Sequence, residues 1–260
     1  MKNTWHTHLN IDTETLLLLR DECQAMMRGR PDSAVVKRWY DEFKVSFVYN
    51  TNAIEGNPIT HGDTAYIINS NSFLENYSAT RNMEVIGSAK AYDYISKLPE
   101  MTADTLLNIH KRVLFFDEVN AGVFRKTPVY IGDKQMPDAE SIVDVIKELY
   151  ELDESDIFRR IAVFHLHFEN LHPFIDGNGR AGRFLINLQL MRAGFMPINF
   201  RYNDVSRYYR CFRQFDIAYE KGVQEMYNLI TKYEHEELTG LMEAIRLNAT
   251  TNRRRTAAYF

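Results

Sequence analysis

The chain of 260 residues has only two cysteines, Cys23 and Cys211, and neither shows a CxxC or histidine-linked spacing. This scarcity argues against a disulfide framework or a zinc site and favours a reducing compartment. No stretch approaches the roughly 20 apolar residues that a membrane-spanning helix needs, and the N-terminus lacks the apolar segment of a signal peptide. We therefore expect a cytoplasmic protein without a membrane partner.

Charge of one sign is also scarce, because 31 Lys and Arg stand against 35 Asp and Glu, for a formal net charge of −4. This balance argues against nucleic acid as the main partner. The one basic cluster, residues 253–255, lies near the C-terminus, where a solvated tail is the simpler interpretation. Hydrophobic residues make up 45% and charged residues 25%, as in an ordinary folded domain.

Helical periodicity dominates the sequence, and turn residues form short clusters without internal repeats. The pattern predicts one mostly α-helical domain. Helices are expected near 34–50, 62–75, 81–97, 102–115 and 138–152. Thr60 is a candidate N-cap for the second of these helices.

The main exception is TPVYIGDKQMP, residues 127–137, where β-branched and aromatic residues lead to Gly132-Asp133. Glycine at the first turn position is typical of a type II′ hairpin. A hairpin here could be a simple connector or a flap that docks a substrate, and the sequence leaves both interpretations open.

Two apolar stripes at helical spacing flank the segment HPFIDGNGRAGR, residues 172–183. The first stripe consists of Ile157, Ile161, Phe164, Phe168 and Leu171, and the second of Phe184, Leu188, Met191 and Phe195. One helix should therefore end near Leu171, and another should run from about Gly179 to Ala193. The segment between them is predicted to be a loop joining two core helices.

The charges of this loop suggest an anion site. Gly177 and Gly179 allow successive backbone N–H groups to turn inward at a helix N-terminus. Arg180 and Arg183 share a helix face there, at the end of the helix dipole that disfavours positive charge. Both guanidinium groups become favourable if they converge on phosphates.

Two further residues complete the parts needed for phosphoryl or nucleotidyl transfer. Asp176 could bind Mg²⁺ together with phosphate oxygens, and a neutral His172 could take a proton from an attacking hydroxyl. Each residue alone fits a tight turn or a helix cap. A metal site that includes His165 and His167 is disfavoured, since the three histidines do not share a helix face, and both residues are interpreted as structural.

The segment resembles, without departure, the signature His-x-Phe-x-Asp/Glu-Gly-Asn-Gly-Arg-x-x-Arg of the Fic (Fic/Doc) family, and the resemblance covers roughly residues 45–230. It implies an all-α fold, a Fic-like helical bundle with a short β-hairpin flap. The division would be an N-terminal helical part over about 1–60, a core over about 61–230 and a C-terminal helix or tail over 231–260. It also implies transfer of AMP from ATP to a hydroxyl side chain of a target protein.

The resemblance assigns roles to individual residues. His172 would be the general base, Asp176 the Mg²⁺ ligand and Phe174 an apolar anchor of the loop. The phosphates would be bound by Gly177, Asn178, Gly179, Arg180 and Arg183. The hairpin around Val129 to Gln135 would align a target segment by strand addition. Self-modification and oligomerisation are compatible with this interpretation.

A second segment, TNAIEG at residues 51–56, resembles the family's inhibitory motif Ser/Thr-x-x-x-Glu-Gly/Asn. Its place upstream of the signature is similar to that of the subgroup with an N-terminal inhibitory helix. Glu55 would then pair with Arg183 in place of the γ-phosphate of ATP. The alternative is a helix end capped by Gly56, with Glu55 as an ordinary terminal carboxylate.

Three functions remain in view. The first is a protein adenylyltransferase inhibited by Glu55, and the second is the same fold moving another phosphate-containing group or removing AMP. The third is a non-catalytic nucleotide-binding module, which the intact His172 argues against, because binding needs no base. Tyr202, Asn203, Tyr208 and Tyr209 are not assigned to the adenine, since aromatic residues at helical spacing are more often core.

Overall fold

The computed structural model describes residues 11–28 and 33–257, with side chains up to residue 250. Within these residues the helices are α1 (Thr13–Arg28), α2 (Ala34–Ile54), α3 (His61–Ser70), α4 (Ala79–Ile95), α5 (Ala103–Val113), α6 (Ile142–Tyr150), α7 (Ile157–Leu171), α8 (Asn178–Arg192), α9 (Val205–Ile217) and α10 (Tyr219–Ala257). The basic cluster at 253–255 lies outside the described side chains. No helix of the described part is long and apolar enough to cross a membrane.

Helix starts follow the capping chemistry of the sequence. Thr60 is the N-cap of α3, since its hydroxyl accepts a hydrogen bond from the Asp63 amide at 3.2 Å, as predicted. Ser33, Ser78 and Thr102 cap α2, α4 and α5 in the same way. The helices predicted between 34 and 115 are all present, with ends shifted by a few residues.

The end of α2 lies further along the chain than the apolar pattern indicated. The helix continues to Ile54, and Gly56 then adopts a positive φ of 79°. The Gly56 amide donates to Ala53 O and the Asn57 amide to Asn52 O, both at 3.0 Å. This is a Schellman motif, and it fixes the last turn of α2, including the cap residue Glu55.

The predicted hairpin consists of two short antiparallel strands, β1 (Tyr130–Ile131) and β2 (Lys134–Gln135). Gly132, at the first turn position, has the positive φ of 59° that such a turn requires. Both strands are exposed on the surface. The all-α fold with a small hairpin is therefore confirmed.

The core is built around α7 and α8. Eleven consecutive residues of α8, from 180 to 190, are buried, so this helix is covered on every side. Phe164 and Phe168 of α7 pack with Phe184 of α8 in one apolar cluster. Ile161 of α7 and Ile186 of α8 belong to a second cluster. The loop between α7 and α8 is consequently anchored at both ends by the most buried part of the molecule.

Candidate active site

The loop between α7 and α8 is stabilised by hydrogen bonds between the Asn178 side chain and its own backbone. Asn178 accepts a hydrogen bond from the Phe174 amide and donates one to Phe174 O, each at 2.9 Å. Phe174 is fully buried, as expected of an anchor, and its ring stacks on His110 at 3.6 Å. The side chain of Asn178 is therefore occupied within the loop, and only its backbone amide remains for an anion.

His172 ends α7 in the left-handed conformation, with φ 49° and ψ 61°. Its Nδ1 lies 3.3 Å from Glu169 O, and because a carbonyl can only accept, Nδ1 carries the proton. Burial lowers the pKa of His172, and the positive charge of Arg125 contributes to the shift. The imidazole is thus neutral, with Nε2 available to take a proton.

Glu55 lies at the N-terminus of α8, next to the loop. Its Oε1 accepts from Arg183 Nη2 at 2.7 Å, and the Arg183 side chain is only 1% exposed. A Cβ atom at Gly179 would overlap this carboxylate, so glycine is required at that position while Glu55 is in place. The carboxylate therefore occupies the position expected for an anion at a helix N-terminus.

Arg183 has further partners, including Thr51 in the segment at 51–56. Its Nε donates to Thr51 Oγ1 and its Nη2 to Thr51 O, both at 2.9 Å. Its Nη1 lies 3.5 Å from the Tyr208 hydroxyl. The first and fifth residues of the motif at 51–56 thus contact the same guanidinium group.

Arg180 points to a different set of partners. Its Nη2 lies 3.3 Å from Asp176 Oδ2, and its Nη1 lies 3.7 Å from Glu84 of α4. Nε and Nη1 are buried and have no hydrogen-bond partner among the described residues. Buried donors normally have a partner, so this guanidinium retains capacity for an anion. The two arginines share a helix face, but in this state they do not converge on one group.

Asp176 fits a shared Mg²⁺ site better than an all-protein one. Its side chain is 66% exposed, and its Oδ1 accepts from the Gly177 amide at 2.6 Å. The described residues contain no group of three or more His, Cys, Asp or Glu side chains that could hold a metal ion. An open carboxylate beside a phosphate site suits Mg²⁺, which uses one or two carboxylates together with phosphate oxygens.

A cavity of about 430 Å³ lies beside Glu55, His172, Gly179 and Arg183, whereas Asp176, Gly177, Asn178 and Arg180 are not among its lining residues. It is lined by Glu55, Ile131, Lys134, Met136, Glu169, Asn170, His172, Gly179, Arg183, Tyr208, Tyr209, Phe212 and Asp216. Besides the charged groups beside α8, the wall includes Lys134 of the hairpin and Asp216 of α9, and α9 also supplies the aromatic side chains. This size and lining are typical of small-molecule sites.

The other candidate residues have structural contacts. His165 Nε2 bonds to the Tyr208 hydroxyl at 2.8 Å, and the ring of His167 packs against Phe215. Tyr208 is buried, which agrees with its interpretation as a core residue, although it also lines the cavity. Tyr202 is exposed and does not appear in the cavity wall.

Sequence reasoning missed His110, which supports the loop from α5. Its Nδ1 accepts from the Gly122 amide at 2.9 Å, so Nε2 carries the proton and donates to Asp176 O at 2.8 Å. Burial lowers the pKa of His110 to about 4, which keeps the ring neutral. The available signal was its place on the apolar face of α5, with Leu106 and Val113.

Sequence reasoning also missed Glu169, one helical turn before His172. Its Oε1 is shielded from solvent without a hydrogen-bond partner among the described residues. Burial raises the pKa of this carboxyl to about 8, although Arg183 opposes the shift. A Cβ at Gly182 would overlap Glu169 Oε1, so this glycine makes room for the acid.

Comparison with known proteins identifies the class. Residues 100–190 match the family model described as the Fic/DOC family. The chain is 34% identical over 204 residues to protein adenylyltransferase fic-1 of Caenorhabditis elegans. The aligned region covers 74% of this chain and 39% of that protein. The chain is 31% identical over 216 residues to protein adenylyltransferase Fic of Nematostella vectensis, covering 78% and 51%. The chain belongs to the Fic/DOC family.

The solved structures agree with this assignment. A structure of Fic-1 from C. elegans superposes with a TM-score of 0.78 at 28% identity, over 90% of this chain and 72% of that one. A Fic-domain protein from Bacteroides thetaiotaomicron, at 22% identity and a TM-score of 0.77, shows the same fold. The chain spans about half or less of the length of the two curated relatives.

Proposed function

We propose that this chain transfers AMP from ATP to a hydroxyl side chain of a protein, and that Glu55 holds it in a slow resting state. The observation that carries the proposal is the Glu55 carboxylate on Arg183, at the phosphate end of a cavity that also contains His172. The names of the curated relatives, protein adenylyltransferases, support the choice of AMP.

In the proposed reaction, the target hydroxyl oxygen attacks the α-phosphorus of ATP. The bond from the α-phosphorus to the bridging oxygen breaks and pyrophosphate leaves, while the hydroxyl proton passes to Nε2 of His172. Backbone amides at 177–179 with Arg180 and Arg183 would bind the phosphates. Asp176 would hold Mg²⁺ with phosphate oxygens, and the ion would neutralise part of the triphosphate charge.

The inhibition follows from competition for one cation. The Glu55 carboxylate and the γ-phosphate of ATP both suit Arg183, which is already fixed by Thr51. While Glu55 stays, ATP must place its phosphates differently, and its α-phosphate is not aligned with the attacking hydroxyl.

The hairpin is the proposed docking site for the target, around Val129 to Gln135. Its two short strands are exposed, so their free edges can accept an extended segment by strand addition. Lys134 anchors the hairpin over the cavity, since its Nζ lies 2.6 Å from Asp216 of α9 and 3.1 Å from Asn170. A cytoplasmic location belongs to the same proposal and is supported by two buried free thiols, Cys23 and Cys211.

Mass spectrometry tests the proposal. The wild type, Glu55→Gly and Glu55→Gly/His172→Ala are incubated with Mg²⁺, ATP and a cell lysate. We expect an AMP adduct on the chain or on a lysate protein with Glu55→Gly, less with the wild type and none with the double variant.

Other outcomes separate the alternatives. A different adduct would indicate another transferred group, and loss of AMP from a modified protein would indicate removal. ATP binding without any adduct in Glu55→Gly would indicate a nucleotide-binding module and contradict the proposal.

A further inference from the structure

Arg125 lies between α5 and β1 and is only 3% exposed, yet no acidic side chain is bonded to it in the described residues. Its guanidinium group donates to four backbone carbonyl groups instead. These belong to Thr127 at 3.1 Å, Pro137 at 2.5 Å, Leu171 at 3.2 Å and His172 at 2.7 Å. A single side chain therefore joins segments that lie 46 or 47 residues apart in sequence.

On one side Arg125 caps α7. The last carbonyl groups of a helix have no partner within it and carry partial negative charge, which a buried cation satisfies. Leu171 and His172 supply two such groups. The Arg125 amide also donates to Pro173 O at 2.9 Å, so both the side chain and the main chain of Arg125 hold this turn.

The turn needs such support because His172 has a left-handed backbone. A residue with a Cβ atom adopts positive φ at a cost in free energy, and it stays there only when the surrounding structure enforces it. The carbonyl group that Arg125 Nε binds belongs to His172 itself. Loss of this contact leaves the direction of the imidazole less well defined.

On the other side Arg125 closes the base of the hairpin. Thr127 and Pro137 are the first and last residues of the hairpin segment, and the carbonyl oxygens of both accept hydrogen bonds from the same guanidinium group. The fork of five N–H donors in arginine makes this possible, whereas a lysine ammonium has three donors at one point.

We propose that Arg125 is a positioning residue that fixes the proposed target-docking hairpin relative to His172. The inference rests on the proposed function, because it assumes that the hairpin presents a hydroxyl to this histidine. Arg125 does not line the cavity. Its effect on transfer is geometric, and a misplacement of the order of 1 Å can cost about 100-fold in rate.

Charge must be separated from geometry in any test. Burial lowers the pKa of His172, Arg125 adds to that shift, and Glu55 and Asp176 oppose it. Arg125→Lys keeps the positive charge but cannot reach all four carbonyl groups. Arg125→Met removes both the charge and the hydrogen bonds. Arg192 provides a control for the loss of carbonyl contacts at an exposed site, since its Nη1 bridges the carbonyl groups of Leu98 and Pro99 at the opposite end of α8.

The experiment uses Glu55→Gly as the parent. Arg125→Met, Arg125→Lys and Arg192→Met are added to it separately. Binding of ATP with Mg²⁺ is measured by calorimetry, and transfer is measured as label from α-phosphate-labelled ATP incorporated into the chain itself or into proteins of a cell lysate. We expect unchanged ATP affinity in all variants, a transfer rate about 100-fold lower in Arg125→Met, partial rescue by Arg125→Lys and no effect of Arg192→Met.

Two results would overturn the inference: transfer equal to that of the parent in both Arg125 variants, or ATP affinity falling in step with transfer. If Arg125→Met does not fold, Arg125→Lys alone decides, with transfer reduced at full ATP affinity as the supporting result.

A parent that transfers no label would count against the proposed function rather than against the position of Arg125. Hydrogen exchange then gives a separate readout at the His172 amide, which donates to Phe168 O at 3.0 Å. Faster exchange in Arg125→Met than in Arg192→Met supports the positioning role, and equal exchange contradicts it.

Discussion

The two walls of the cavity are built differently. The wall formed by the α7–α8 loop is held from behind, because His110 and Asn178 bind its backbone and Phe174 is buried beneath it. The wall formed by the end of α2 meets the cavity through Glu55, whose side chain is 34% exposed and pairs with Arg183. The proposed base, His172, therefore lies on a wall with many internal contacts, whereas the proposed inhibitory group, Glu55, is a partly exposed side chain with a single ion pair.

Removing the proposed base, His172, from the α7–α8 wall should have the largest effect on the transfer rate. His172→Ala should lower transfer by about 10²- to 10⁴-fold, because it removes the proposed acceptor of the hydroxyl proton. ATP affinity should remain, since the phosphates are bound by other residues, and calorimetry checks this. His172→Asn is the better-matched variant, because asparagine tolerates the left-handed backbone. Turnover retained in both variants would remove His172 from the mechanism.

Removing the Glu55 carboxylate at the end of α2 tests the second wall. Glu55→Gly should raise transfer and increase the stabilisation gained on adding ATP and Mg²⁺. Without nucleotide it should lose only about 1–2 kcal/mol, because Arg183 keeps both bonds to Thr51 and Glu55 is partly exposed. Thermal unfolding with and without ATP measures both effects.

Glu55→Gln and Arg183→Ala sharpen this result. The amide removes the charge at constant size and should activate as well. Arg183→Ala added to Glu55→Gly should cancel the gain, since both residues act through one contact. Unchanged transfer and unchanged ATP-induced stabilisation in Glu55→Gly would reduce Glu55 to a helix-end carboxylate.

Glu169 offers a pH-dependent test of stability beside the α7–α8 loop. Its carboxyl ionises near 4.5 in the unfolded chain and near 8 in the folded one, where burial keeps it protonated. The proton it retains stabilises the fold at low pH, and this stabilisation is lost as the pH rises from 4.5 to 8. Glu169→Gln removes the loss, so it should gain stability relative to wild type across this range, by about 1.4 kcal/mol for each pH unit. Denaturant unfolding at several pH values checks the trend, and parallel curves would contradict it.

The smallest effect on stability is expected at Asp176. Asp176→Ala should change the free energy of unfolding by less than about 0.5 kcal/mol without nucleotide, because the side chain is mostly exposed. The same variant should lose the part of ATP affinity that depends on Mg²⁺. A large fall in melting temperature would instead identify a structural carboxylate.

Much of the fold could be predicted, and so could the places of Glu55, His172 and Arg183 among the polar residues of the cavity, because their signals are local. Capping by Thr60, the apolar stripes beside the loop and the misplaced charges of Arg180 and Arg183 are all readable within one or two helical turns. The helices α1 and α9 were not predicted, and the full length of α10 was not either, since long-range packing rather than local pattern determines them.

The supports of the loop could not be predicted for a different reason. His110 and Arg125 bind backbone carbonyl groups, and a carbonyl group has no side-chain identity that a sequence displays. The separate partners of Arg180 were also hidden. Residues three apart on a helix share a face, but long side chains can reach different neighbours, here α4 and the end of α2.

Under the proposed function, the Glu55 carboxylate on Arg183 acts as an intramolecular competitor of the ATP phosphates. Its effective concentration is set by the geometry of α2 and does not fall when the protein is diluted. The apparent affinity for correctly placed ATP is reduced by the fraction of molecules in which Glu55 occupies the site. The Schellman turn at Gly56 and Asn57 holds Glu55 at the end of α2, so under the proposed function unwinding that turn should raise the apparent affinity for correctly placed ATP.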